Sequence, residues 1–98
     1  MENFIEKIED ILLNDIGIEL PGEEGRNGSY IIDIGSDVEW GKVYTLLENN
    51  ENIEQADENN LLTTHNASLI YRYNDEYLFN LKADFDHNLY SLVCSELI

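Results

Sequence analysis

Carboxylates are the side chains this sequence supplies most freely, and their spacing at the front of the chain is regular. Glu2, Glu6 and Glu9 recur about once per helical turn, a rise of about 5.4 Å. Asp10 extends the row. Phosphates along one nucleic-acid strand recur on a broadly similar scale. A rigid row of carboxylates could therefore occupy the Lys and Arg sites that ordinarily neutralise phosphates. The same spacing is also that of the wet face of any surface helix. Glu23, Glu24, Asp37, Glu39, Glu48, Glu51, Glu54, Asp57 and Glu58 continue the acidic run. Together with Glu2, Glu6, Glu9 and Asp10 they are the candidate partner-binding residues.

Other residue types offer less. Asp84-Phe85-Asp86-His87-Asn88 has the D-x-D-x-N spacing that starts a calcium loop of the EF-hand type. The Gly required at the sixth position is Leu89 and the Glu required at the twelfth is Ser95. A hairpin turn with exposed acids is the better reading. His65 and His87 stand in neither an H-E-x-x-H pair nor a triad with a G-x-S-x-G serine. No P-loop is present, and no G-x-G-x-x-G follows a strand. No catalytic residue, cofactor or metal is expected. Cys94 is the single cysteine, so neither an intramolecular disulfide nor a Cys-based zinc site can form. Its setting, Leu92-Val93-Cys94, suits a small buried hydrophobe.

Twenty-one acidic residues face five basic ones in 98 positions, a formal net charge of −16. A small soluble domain needs a net charge of only about 2–8, and self-repulsion at a higher value costs stability. Residues 1–60 hold sixteen acids and three bases (Lys7, Arg26, Lys42), a net of −13. Residues 61–98 hold five acids and two bases (Arg72, Lys82), a net of −3. The asymmetry favours one acidic face over a uniform coat. So few bases, with no basic stripe, exclude direct nucleic-acid binding. No run approaches the 18 or so apolar residues of a membrane helix. Met1-Glu2-Asn3-Phe4 lacks the basic start of a signal peptide. A reducing cytoplasm is the expected compartment, with no membrane partner. The 43% apolar content and ten aromatics argue for a folded domain, since acidic disordered chains are poor in such residues.

The elements that would position these groups can be read from periodicity. Phe4, Ile5, Ile8, Ile11 and Leu12 predict an amphipathic helix over about 2–14. Ile16, Ile18 and Leu20 alternate like a short strand, residues 21–28 are dense in turn formers, and Tyr30–Ile34 reads as a second strand closing a hairpin. Ser36 and Glu39 fit a capping box ahead of a helix over about 37–49, which Gly41 weakens by about 1 kcal/mol. Residues 48–60, with five acids, five Asn and no base, look like a solvated loop or a frayed helix extension. Ala67–Tyr73 and Tyr77–Ala83 alternate as strands, Asn74-Asp75 and Asp86-His87-Asn88 suit hairpin turns, and Leu89–Glu96 could be strand or helix. The order α-β-β-α-β-β-β predicts a single α+β domain over 1–98, an antiparallel sheet with two helices on one face.

In size, charge and domain class the profile resembles that of phage-encoded DNA mimics: anti-restriction proteins, anti-CRISPR proteins and inhibitors of DNA-repair glycosylases. The resemblance covers no alignable motif, so it assigns no residue. It implies a non-enzymatic inhibitor that blocks the basic groove of a nucleic-acid-handling protein. An immunity protein for a cationic nuclease toxin, or an acidic adaptor for another basic protein, is the alternative. Selectivity needs a few anchors near the acids. Trp40, Tyr44 and Tyr30 are the candidates, with a place in the core as the competing reading for each. Pairing of edge strands could also make a homodimer.

Overall fold

The computed structural model describes residues 3–97; Glu2, a candidate partner-binding residue, lies outside them. The chain opens with helix α1 (Phe4–Asp10), whose start is set by Asn3: its side-chain oxygen accepts from the Glu6 N–H at 2.9 Å. That bond satisfies one of the donors a helix start leaves open. The helix then widens into a π-helical segment, Ile11–Ile16, and stops at Gly17, which is left-handed at φ 91°. The Gly17 and Ile18 amides both donate to the Leu12 carbonyl, at 2.9 and 2.7 Å. The helix thus begins later and ends later than its periodicity suggests.

No strand forms over Ile16–Leu20. Ile16 closes the π-helical segment and Ile18 drops into the core, with exposed Gly17 between them and exposed Glu19 after. That alternation comes from an irregular crossing segment. Strand β1 is Gly22–Glu24 instead, inside the stretch rich in turn formers. It pairs antiparallel with β2 (Tyr30–Ile34), so the expected hairpin exists with a different first arm. Helix α2 (Asp37–Asn49) follows as expected, with Ser36 Oγ accepting from the Glu39 amide at 3.2 Å.

The segment expected to be a solvated loop contains β3 (Ile53–Gln55). Ile53 is buried opposite Tyr73 and supplies the apolar contact that holds a polar strand in place. After it come β4 (Leu61–Leu62), β5 (Asn66–Tyr73), β6 (Tyr77–Asp84) and β7 (Leu89–Glu96). Residues 89–96 are therefore strand. Residues 74–76 form the loop of the β5–β6 hairpin, with Asn74 and Asp75 at positive φ, 48° and 60°, inside the turn that the Glu76 amide closes on the Tyr73 carbonyl at 2.9 Å.

All strands join one antiparallel sheet in the order β1-β2-β7-β6-β5-β3, with β4 also on β5. The α+β domain with two helices is as expected, but the sheet has seven strands where the sequence predicts five, and one of those five, over residues 16–20, is not a strand. Burial alternates along the four long central strands. The register stacks Leu69, Leu81, Leu92 and Ile32 in one row and Tyr71, Phe79, Cys94 and Tyr30 in the next. These rows face Ile8, Leu12, Ile16, Ile18, Val43 and Leu47 from the helical side. One face of the sheet thus carries the core, and the other carries no helix.

Candidate functional site: the acidic helical layer

The helical layer gathers carboxylates from separated parts of the chain. Glu6, Glu9 and Asp10 are exposed on α1; Asp37 and Glu39 occupy the first turn of α2, and Glu48 its last. No charged side chain is buried among the described residues. Few of the acids meet a base. Lys42 reaches Glu39 at 3.3 Å, and Arg72 reaches Glu54 at 3.4 Å and Asp75 at 3.7 Å. The carboxylates are therefore mostly free to act on a partner.

The two helices also converge at their C-terminal ends. Asn50, which follows α2, donates through its amide to the main-chain carbonyl of Asp15 at 3.1 Å, next to the end of the π-helical segment. A helix C-terminus carries a partial negative charge of about half an elementary unit. Two such ends meet beside Asp15 and Glu48, and α2 has no base in its last turn. The neighbouring phenols register this field. Tyr73 donates to Asp15 Oδ2. Burial, then the bond to Asp15 and the charges of Asp15, Glu76 and Asp10, push its pKa up to about 12. The Tyr71 hydroxyl is buried with no hydrogen-bond partner among the described residues. Burial raises its pKa above the ordinary phenol range, and Glu48 raises it further.

Two grooves of mixed polar and apolar lining run between these acids. One, of about 430 Å³, lies between Glu9, Leu13, Glu19, Leu20 and Tyr30. A second, of about 450 Å³, shares Ile18, Glu19 and Leu20 with it and continues to Glu39, Lys42 and Leu46 of α2. Leu13, Val38 and Leu46 are exposed large apolar residues on this layer, and Val38 flanks Lys42 and Leu46 on the outer side of α2. An apolar surface rimmed by charge is the usual composition of a docking site.

The aromatic anchor candidates take the core places of their competing reading. Trp40 and Tyr30 are buried. The Trp40 Nε1 donates to the Lys82 carbonyl at 3.1 Å, and its ring stacks on half-buried Tyr44 with centroids 5.7 Å apart. Their spacing on α2 is that of the inward stripe, so they hold α2 to the sheet. The residues suited to anchor a partner are Leu13, Val38 and Leu46. Val38 is the one with a sequence signal: an apolar residue in the first turn of α2, between Asp37 and Glu39.

The remaining candidates do not join this surface. Glu23 and Glu24 lie on edge strand β1. Glu54 lies on β3 at the opposite edge, with Glu51 just before it and Asp57 and Glu58 after it. Five strand spacings separate the edges, about 24 Å. The acidity therefore covers the helical layer and both edges and extends beyond a single face. Asp15 and Glu19, not among the sequence candidates, also belong to the layer: Asp15 sits at the end of the π-helical segment, and the crossing segment brings Glu19 there.

The D-x-D-x-N stretch is the β6–β7 turn. The His87 Nδ1 lies 2.9 Å from Asp84 Oδ2, and the His65 Nδ1 lies 3.1 Å from Asp86 Oδ2. The His87 pairing holds the Asp84 carboxyl below the usual range. Among the described residues no group of three or more His, Cys, Asp or Glu side chains is arranged to hold a metal ion. Cys94 is fully buried, and burial alone raises its thiol well above the ordinary range. No helix of the described residues is long and apolar enough to cross a membrane. Compared with family models, with curated proteins and with solved structures, the chain matches none.

Proposed function

We propose that this chain is a non-enzymatic inhibitor whose acidic helical layer docks in the basic groove of a nucleic-acid-handling protein. One observation carries the reading: Glu9, Glu19 and Glu39 line the grooves at Leu13 and Leu46, and further exposed carboxylates of α1 and α2 stand on the same layer, with exposed Val38 beside Leu46. The carboxylates and converging helix ends supply long-range attraction and displace counterions from a cationic groove. The leucines and Val38 supply the desolvated contacts on which selectivity depends. Anti-CRISPR, anti-restriction and repair-enzyme inhibition are the activities of this kind.

An immunity protein for a cationic nuclease would use the same acids but could bind beside the active site. Competition separates the two. The immobilised protein is loaded with a nuclease or other nucleic-acid enzyme that it retains, and duplex DNA or RNA is added. A groove-blocking inhibitor releases the enzyme as nucleic acid rises; an exosite inhibitor does not. Replacing Glu6, Glu9 and Asp10 by Lys is expected to abolish retention with the fold intact. Replacing Asp75, Glu76 and Asp86 by Lys is expected to change it little. Equal loss from both sets would remove the helical layer as the docking surface.

A further inference from the structure

The sheet face that carries no helix differs from the rest of the surface. Its outward residues on β2, β7, β6 and β5 include two acids, Asp33 and Asp84, and two bases, Lys82 and Arg72. On these four strands the charges balance, in a chain of net charge −16, while Glu23 of β1 and Glu54 of β3 lie on the same face at its two edges. Ile31, Val93, Ile70 and Leu78 sit half-buried at its centre. The outward residues of β7 are Leu89, Ser91, Val93 and Ser95; Leu89 is large and exposed at the strand's start, and the other three are small or medium-sized, so a second surface can approach over the middle of the strand.

We infer that this face pairs with the same face of a second copy, about a two-fold axis running along β7. The register supplies the argument. Asp33 on β2, Ser91 on β7 and Lys82 on β6 form one row, with Ser91 in the middle. A two-fold axis above β7 and parallel to it exchanges the positions over β2 and β6. Asp33 of each copy then lies over Lys82 of the other, giving two reciprocal ion pairs, while Ser91 and Val93 meet their own counterparts. Such self-complementarity is what an isologous interface requires. Two sheets packing face to face sit about 10 Å apart, a gap that a Lys and an Asp side chain together can span.

The axis lays β2 of each copy over β6 of the other and β1 over β5, so the shorter strands limit the overlap to about 400 Å² per copy and about 800 Å² in total, the size of a weak interface. The helices and both sheet edges carry most of the acids, and two copies would repel there. The inference does not depend on the inhibitor reading. It leaves both acidic layers facing outward on opposite sides of the dimer.

Sedimentation equilibrium at near-physiological salt tests it, with circular dichroism as the check on folding. The chain is expected to sediment at twice its monomer mass. Lys82→Glu and Asp33→Lys, both at exposed positions, should each weaken the dimer by about 100-fold or more. Mixing the two variants should restore it, because each then meets an opposite charge. Val93→Asp should also give a monomer. A chain that stays monomeric up to millimolar concentration overturns the inference. So does a dimer that survives both charge reversals, or a mixture that fails to recover.

Discussion

Leu92 and Val93 are neighbours on β7 that face opposite sides of one sheet, and they belong to two chemically different surfaces. Leu92 is fully buried under the helices, within the row of Leu69, Leu81 and Ile32. Val93 is half-buried on the helix-free face, beside Ile31 and Asn80. The helical side holds the core and carries exposed carboxylates on its outer surface. The helix-free side is charge-balanced and modestly apolar. A chain of net charge −16 thus confines its balanced surface to one sheet face, while acids decorate the helices and both sheet edges. The single-residue alternation of a strand is what allows the two surfaces to be specified independently.

The contrast is broken most severely from the core side. Leu92→Ala is expected to cost about 2–5 kcal/mol, because a fully enclosed side chain leaves a cavity. Val93→Ala should cost under about 1 kcal/mol, since that side chain is only half enclosed and its loss leaves no closed cavity. Urea denaturation in dilute solution, where self-association does not contribute, measures both. Equal costs would mean that the helix-free face is packed as tightly as the core.

Alkaline pH tests the next layer, where the core meets the acids. The Tyr73 pKa is about 12 in the fold, against about 10 for a free phenol. A group whose folded pKa is raised contributes stability that is complete below pH 10 and is lost as pH rises through 12. Stability should therefore fall by on the order of 2 kcal/mol across pH 10–12, with Tyr71 adding in the same direction. Tyr73→Phe should flatten part of that fall, which melting temperature against pH will read.

A smaller effect is expected at the start of α2. Ser36→Ala removes the acceptor of the Glu39 amide and should cost about 1 kcal/mol. This element was fully legible in the sequence, because capping acts over three residues and leaves a local mark. So were β5 and β6, where strict alternation follows from burial on one face only. The misses have a common physical cause. Gly22–Glu24 and Ile53–Gln55 are strands because longer strands next to them offer hydrogen bonds, with Ile53 as almost the only apolar contribution. Ile18 alternates with exposed residues because it lies between two helices. Of the site, the acids of α1 and α2 could be read from spacing. Leu13 and Leu46 could not, since exposure of a leucine depends on where the helices come to rest. Asp15 joins the layer through the π-helical extension of α1, and Glu19 through the turn at Gly17.

The charges of α2 itself define the finest test. Asp37 and Glu39 sit at its N-terminal turn, where carboxylates complement the helix dipole, whereas Glu48 sits in the last turn, where they oppose it. Asp15 approaches through Asn50, so Glu48 also stands in the field of a second helix end. Glu48→Gln keeps an oxygen for the Gln55 amide, which lies 3.0 Å from the present carboxylate. It should therefore stabilise the fold by about 0.5 kcal/mol. It should also lower the Tyr71 pKa, which Glu48 now raises, so phenolate absorbance during an alkaline titration gives a second reading. Neutralising Asp37 by Asn should lose a similar amount, because the favourable interaction with the helix start is given up. If both substitutions stabilise equally, general repulsion at −16 outweighs the local dipoles. Opposite signs would mean that this layer keeps Glu48 against its own stability, as a surface retained for a cationic partner does.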